Sequence, residues 1–194
     1  MLVVLSIVVG VVLVGSAPVT VTDEDVNRCY TNLVNKLRTL NGEFITQDQG
    51  VQMANTAFDM YLVENKTLEQ IADYFKTNVN NLGFTPEQTG MFTDVYSKVV
   101  SILGSEEATT QLYKKALKTT FDFIANDKAK TDEMIGQLRE QGASINTIKQ
   151  RSCQQIFTLT TLEKKKEMTI QIAANIPEQS REAVKKEFSK IMKI

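Results

Sequence analysis

Cys29 and Cys153 are the only thiols in the sequence, and there is no histidine to serve either of them. A thiol attacks as the thiolate, which needs a neighbouring base or a strongly cationic setting. Without imidazole, neither a Cys–His nor a Ser–His–Asp arrangement can be assembled. The usual nitrogen ligands of zinc are missing as well, and two sulfurs are too few for a thiolate cage. The carboxylate pairs Asp23/Asp25 and Glu106/Glu107 fall where helices are expected to begin. There they meet the positive end of the helix dipole and need no catalytic explanation. No phosphate-binding loop or dinucleotide fingerprint is present. The expectation is a protein with no catalytic residue, no metal and no cofactor, working by binding.

A second reading of the cysteines depends on compartment. Residues 2–14, LVVLSIVVGVVLV, are uncharged and apolar, and Gly15, Ser16 and Ala17 follow. Such a run is shorter than the roughly 20 apolar residues a membrane span needs. Ending in small residues, it reads as a secretory leader over residues 1–17, with a short N-terminal anchor as the rival reading. In an oxidising compartment two cysteines are expected to pair. A Cys29–Cys153 bridge would close most of the chain into one loop and stabilise it by about 4 to 5 kcal/mol in the chain-entropy picture. Two buried free thiols are the alternative. Asn65-Lys66-Thr67 is a glycosylation sequon once the chain is secreted, and Thr67 is equally suited to cap a helix.

The remaining residues, 18–194, contain no Pro-, Gly- or Ser-rich linker and read as one domain. Their apolar period is helical. Val26, Cys29, Tyr30, Leu33, Leu37 and Leu40 mark a helix over 23–40 that Asn41-Gly42 stops. Further stripes predict helices over 47–63, 68–80, 86–103, 106–125 and 132–141, another from Ile145 to Leu159, one around Leu162–Ile172, and a last one from 177 to the C-terminus. Thr46-x-x-Gln49, Thr67-x-x-Gln70, Thr85-x-x-Gln88 and Thr160-x-x-Glu163 read as capping boxes. Pro86 and Pro177 suit first helical positions. The expected fold is all-α, a single compact domain of eight or nine amphipathic helices.

With 22 basic and 23 acidic residues the chain carries a net charge of -1, which argues against nucleic acid as a partner. Its helical faces are rich in rings and thioethers, with 9 Phe, 5 Tyr and 7 Met. Such side chains either fill a core or line an apolar hollow. Phe75, Met91, Phe92, Tyr96, Phe121 and Phe157 are the candidates for lining one, and Lys98, Lys149 or Arg151 could meet an acidic head group at its mouth. The C-terminal third is net basic. Arg181, Lys185, Lys186 and Lys190 are spaced to form a basic flank on the last helix, suited either to solvent or to transient contact with an anionic membrane.

The stretch Ile176-Pro177-Glu178-Gln179-Ser180-Arg181-Glu182-Ala183-Val184-Lys185-Lys186-Glu187-Phe188 resembles the closing helix of the nematode fatty-acid and retinol-binding proteins. Leu82-Gly83-Phe84-Thr85-Pro86-Glu87-Gln88, leading into Phe92, is similar to that family's mid-chain helix start. The resemblance implies a secreted, helix-rich carrier holding fatty acids or retinol in an internal apolar cavity. The alternative is a secreted interaction protein or antigen with a filled core and no small-molecule ligand.

Overall fold

A computed structural model describes residues 20–78 and 82–193 of the chain; the expected leader, residues 1–17, and Val79 of the third stripe lie outside the described residues. The described residues run through eight α-helices: α1 (Asp23–Asn41), α2 (Gln47–Leu62), α3 (Leu68–Thr77), α4 (Pro86–Leu103), α5 (Glu106–Glu140), α6 (Ile145–Leu159), α7 (Leu162–Ala174) and α8 (Arg181–Phe188). No strand occurs among the described residues. The fold is all-α.

Helix starts follow the caps. Thr46, Thr67 and Thr85 each accept from the backbone N–H three residues on, and Gln49, Gln70 and Gln88 reach back to the cap's own N–H. Each box satisfies two donors that a helix N-terminus otherwise leaves free. A further box lies at Thr22 and Asp25. The expected Thr160 box is displaced by one residue. Thr161 is the cap of α7, accepting from the N–H of Lys164, while the Thr160 hydroxyl donates to the Ile156 carbonyl and closes α6.

Two expected boundaries differ. The helices predicted over 106–125 and 132–141 are one continuous helix of 35 residues. The stretch between them is polar, but it holds no glycine or proline to break the ladder. Instead, Lys118 pairs with Asp122 and Lys128 with Asp132, one turn apart on the outer face. Asp127 is held by Lys164 of α7, and buried Gln155 of α6 donates to the Thr131 hydroxyl at 3.0 Å. The last helix is also shorter than predicted. Pro177 leads into a 3-10 turn, Glu178–Ser180, and α8 ends at Phe188, after which the chain folds back on itself.

The main core lies where α1 packs on α2 and α6, with α5 beneath. Tyr30 and Leu33 are fully excluded from solvent, and the Tyr30 ring stacks on Phe58 with centroids 4.7 Å apart. Cys29 and Cys153 form a disulfide that joins α1 to α6, with Cα atoms 6.2 Å apart and 124 positions of chain between them. A second core, formed by Ile45, Met53, Ala57, Met60, Ile71, Phe75 and Leu82, lies between α2 and α3. A third joins α4, α5 and α8 through Val95, Val99, Leu112, Ile176 and Val184.

Candidate functional site

An apolar slot of about 150 Å³ opens where the second core meets the end of α1 and the chain's C-terminal segment. Leu37 of α1, Met53 of α2 and Phe75 of α3 form its floor, and all three are buried in helices. Phe44 and Ile45 come from the connection between α1 and α2, and Leu82 and Phe84 from the connection into α4. Phe92 of α4 and the side chains of Ile191 and Met192 complete the wall.

Interlocked caps fix the two connections. The Gln49 amide donates to the Gly83 carbonyl at 2.7 Å and to Gln88 Oε1 at 2.9 Å. Gln88 in turn donates to the Phe44 carbonyl and to Gln49 Oε1. Each glutamine therefore closes its own helix start and ties down the other's leading loop. The Phe44 and Phe84 rings meet edge to face, with centroids 6.3 Å apart. Close approach of the floor helices depends on Gly50, since a methyl group there would come within 2.5 Å of Val34 Cγ1.

The polar groups of the rim are cationic or neutral. Arg38 lines the slot with its Nε donating to the Ile45 carbonyl at 2.8 Å, and Lys76 lines it with its ammonium over the Tyr113 ring. Asn41 lies beside them, and among the described residues no acidic side chain lines the slot. The larger depression, about 720 Å³ between Phe84 and Ser97, is open to solvent. Its lining mixes Phe84 and Pro86 with Thr89, Thr93, Asp94 and Ser97, and it is a shallow surface rather than an enclosed cavity.

The six sequence candidates do not converge. Phe75 and Phe92 line the slot. Met91 and Tyr96 stand on the outer face of α4, 38% and 42% exposed. Phe121 packs half-buried against Leu68 and Ile124. Phe157 lies at the surface beneath the Lys36 ammonium, 4.2 Å from its ring centre. The lysines considered for the mouth are engaged elsewhere, Lys149 with Asp59 and Lys98 with Asp94. Helical spacing places a side chain on a face but does not say which faces meet: Leu82 continues the apolar stripe of α3, whereas the loop residues Phe44, Ile45 and Phe84 carry no periodic signal. Their one local mark is their place just before a capping threonine, where apolar residues often pack.

The basic residues of the C-terminal third are largely occupied. Arg181 donates to the Ala173 and Ile176 carbonyls, Lys185 pairs with Glu182, and Lys190 with Glu187. Asn65 is exposed in the turn between α2 and α3 with φ of 54°, a left-handed conformation that asparagine tolerates better than most residues. Among the described residues no group of three His, Cys, Asp or Glu side chains could hold a metal ion, and no helix is long and apolar enough to cross a membrane. No family model, no curated protein and no solved structure matches the chain.

Proposed function

We propose that the chain is a secreted, non-catalytic helical carrier that takes the apolar tail of a fatty acid or retinoid into the slot between α1, α2, α3 and α4. The observation that carries this reading is the lining itself: nearly all apolar, with Arg38 and Lys76 at the rim and no acidic side chain among the described lining residues. Such a site excludes water from a hydrocarbon chain and leaves a cation for an acid group. At about 150 Å³ the slot is smaller than the ~300 Å³ at the low end of ligand pockets. The guest therefore seats by displacing flexible side chains, for which Met53 and Met192 are well suited. The resemblance of Leu82–Gln88 to a mid-chain segment of the nematode carriers also supports this reading, since Leu82 and Phe84 line the slot. The disulfide and the exposed Asn65 sequon fit an oxidising, glycosylating route of export. Contact with an anionic membrane during delivery would fall to Lys166 and Lys186, which are exposed.

The test is titration of the mature protein with a fluorescent fatty acid, with oleate and retinol as competitors. Displaceable binding at micromolar concentration or tighter is expected. Met53→Trp, which fills the slot, should weaken it at least tenfold. Arg38→Met should weaken oleate more than retinol. No binding, or binding indifferent to Met53→Trp, would overturn the assignment. The outer face of α4, with Met91, Phe92 and Tyr96 exposed together, favours the second reading, a surface that engages another protein. That reading predicts binding to a partner that survives Met53→Trp and fails on Tyr96→Ala.

A further inference from the structure

We infer that the C-terminal segment Ile191–Lys193 is a strap over the slot, and that a guest passes in and out when this segment lifts from the end of α1. The inference rests on the carrier reading of the slot and concerns how access to it is controlled.

The end of α1 is where the strap is fastened. The last four carbonyls of a helix have no partner within it. In α1 these belong to Arg38, Thr39, Leu40 and Asn41. The first is capped locally by the N–H of Gly42 at 2.8 Å. The other three are met from the far end of the sequence. Asn41 O accepts from the backbone N–H of Lys193 at 2.8 Å, Thr39 O from the Lys193 ammonium at 3.4 Å, and Leu40 O from the Lys165 ammonium at 2.5 Å. The same Lys165 ammonium also holds the Lys193 carbonyl, so it clamps strap and helix end together. Gly42, beside which the strap passes, has a φ of 99°, a backbone conformation that residues with a side chain rarely adopt.

The walls of the slot differ in what moving them requires. Leu37, Met53 and Phe75 are carried by helices within the cores, and moving those helices apart would unfold the cores, although the Met53 side chain can turn in place. The loops carrying Phe44 and Phe84 are tied by the Gln49–Gln88 pair. Ile191 and Met192 are only half-buried and follow the end of α8; Ile191 packs on the edge of the third core, and the segment is otherwise held by turn hydrogen bonds to Phe188 and by the contacts of Lys193. Segments with few buried contacts and solvent-accessible hydrogen bonds open locally at the least free-energy cost. The strap is thus the wall that can open while the rest of the fold stays closed.

Two variants separate the strap from the ligand. Lys165→Met removes the clamp and leaves every slot-lining residue in place. Truncation after Lys190 removes the strap itself. The readout that needs no ligand is oxidation by dilute hydrogen peroxide: Met53 lines the slot, whereas Met134 is buried in the main core and serves as an internal control. Met53 should oxidise at least fivefold faster in Lys165→Met, and faster still in the truncated chain, with Met134 unchanged. The second readout is stopped-flow release of cis-parinaric acid, expected to be at least tenfold faster in Lys165→Met. Equal Met53 oxidation in all three proteins would overturn the strap, as would unchanged release from both variants. If parinaric acid fails to bind the unmodified protein while Met53 oxidation follows the predicted order, the carrier reading falls and the strap stands.

Discussion

Gly50 sits on α2 opposite Val34, in a space that admits no methyl group. Gly50→Ala must push α1 and α2 apart or force Val34 off its rotamer, and overpacking of this kind costs about 1 to 3 kcal/mol. Chemical denaturation should show that loss, and Val34→Ala should recover part of it when the two changes are combined. An additive double variant would place the clash elsewhere. Asp25 offers a different test. Its carboxylate accepts from the backbone N–H of Thr22 at 3.1 Å and from the Thr22 hydroxyl at 2.8 Å. The backbone bond, then the hydroxyl bond, favours the ionised form and holds Asp25 below the ordinary carboxylate value of about 3.9. Because the folded-state value is the lower one, the contribution is complete above the unfolded value and is lost as pH falls through the folded one. An NMR titration should place the Asp25 midpoint below the usual carboxylate range, and Thr22→Ala, which removes the hydroxyl donor but keeps the backbone N–H, should raise it only part of the way back.

At the scale of elements, the sequence was most legible where a cap and an apolar period coincide. Thr46, Thr67 and Thr85 start helices where the period begins, and Gly42 and Gly104 stand just past helix ends. It was least legible where polarity imitates a loop. Ala125 to Lys130 has no apolar stripe, yet α5 passes through it on paired charges and on contacts with α6 and α7 that no local pattern announces. Ala129→Pro tests the continuity of α5: in a helix interior it should cost about 3 kcal/mol or more, whereas a linker would accept it with little change in thermal midpoint. The end of the chain misled for the opposite reason. Phe188, Ile191 and Met192 keep helical spacing, but the free carbonyls of α1 recruit Lys193 and draw the last residues out of the helix. The slot was hidden because its walls come from separate stretches of chain brought together by packing, and only Phe75 and Phe92 among the aromatic candidates reach it.

At the scale of the whole molecule, the Cys29–Cys153 bridge links the first described helix to the sixth across 124 positions. Closing a loop of that length removes unfolded-state freedom worth about 4 to 5 kcal/mol in the entropic account. Denaturation with and without reductant should differ by that order, and reduction should add two protons to the intact mass. Equal masses would mean that the pair is open in the protein as made. The bridge fastens α1 to α6 in the main core, away from the slot, so the fold is held at one side while the C-terminal segment remains free to release at the other.

The central claim is that a hydrocarbon guest enters between α1, α2, α3 and α4. Methyl NMR of the protein labelled at Met and Ile, titrated with oleate, addresses it directly. The account predicts saturable shifts at Met53, Ile45, Ile191 and Met192, with Ile148 and Ile156 of the main core unmoved. Shifts confined to Met91 on the outer face of α4, or no shifts at all, would contradict it.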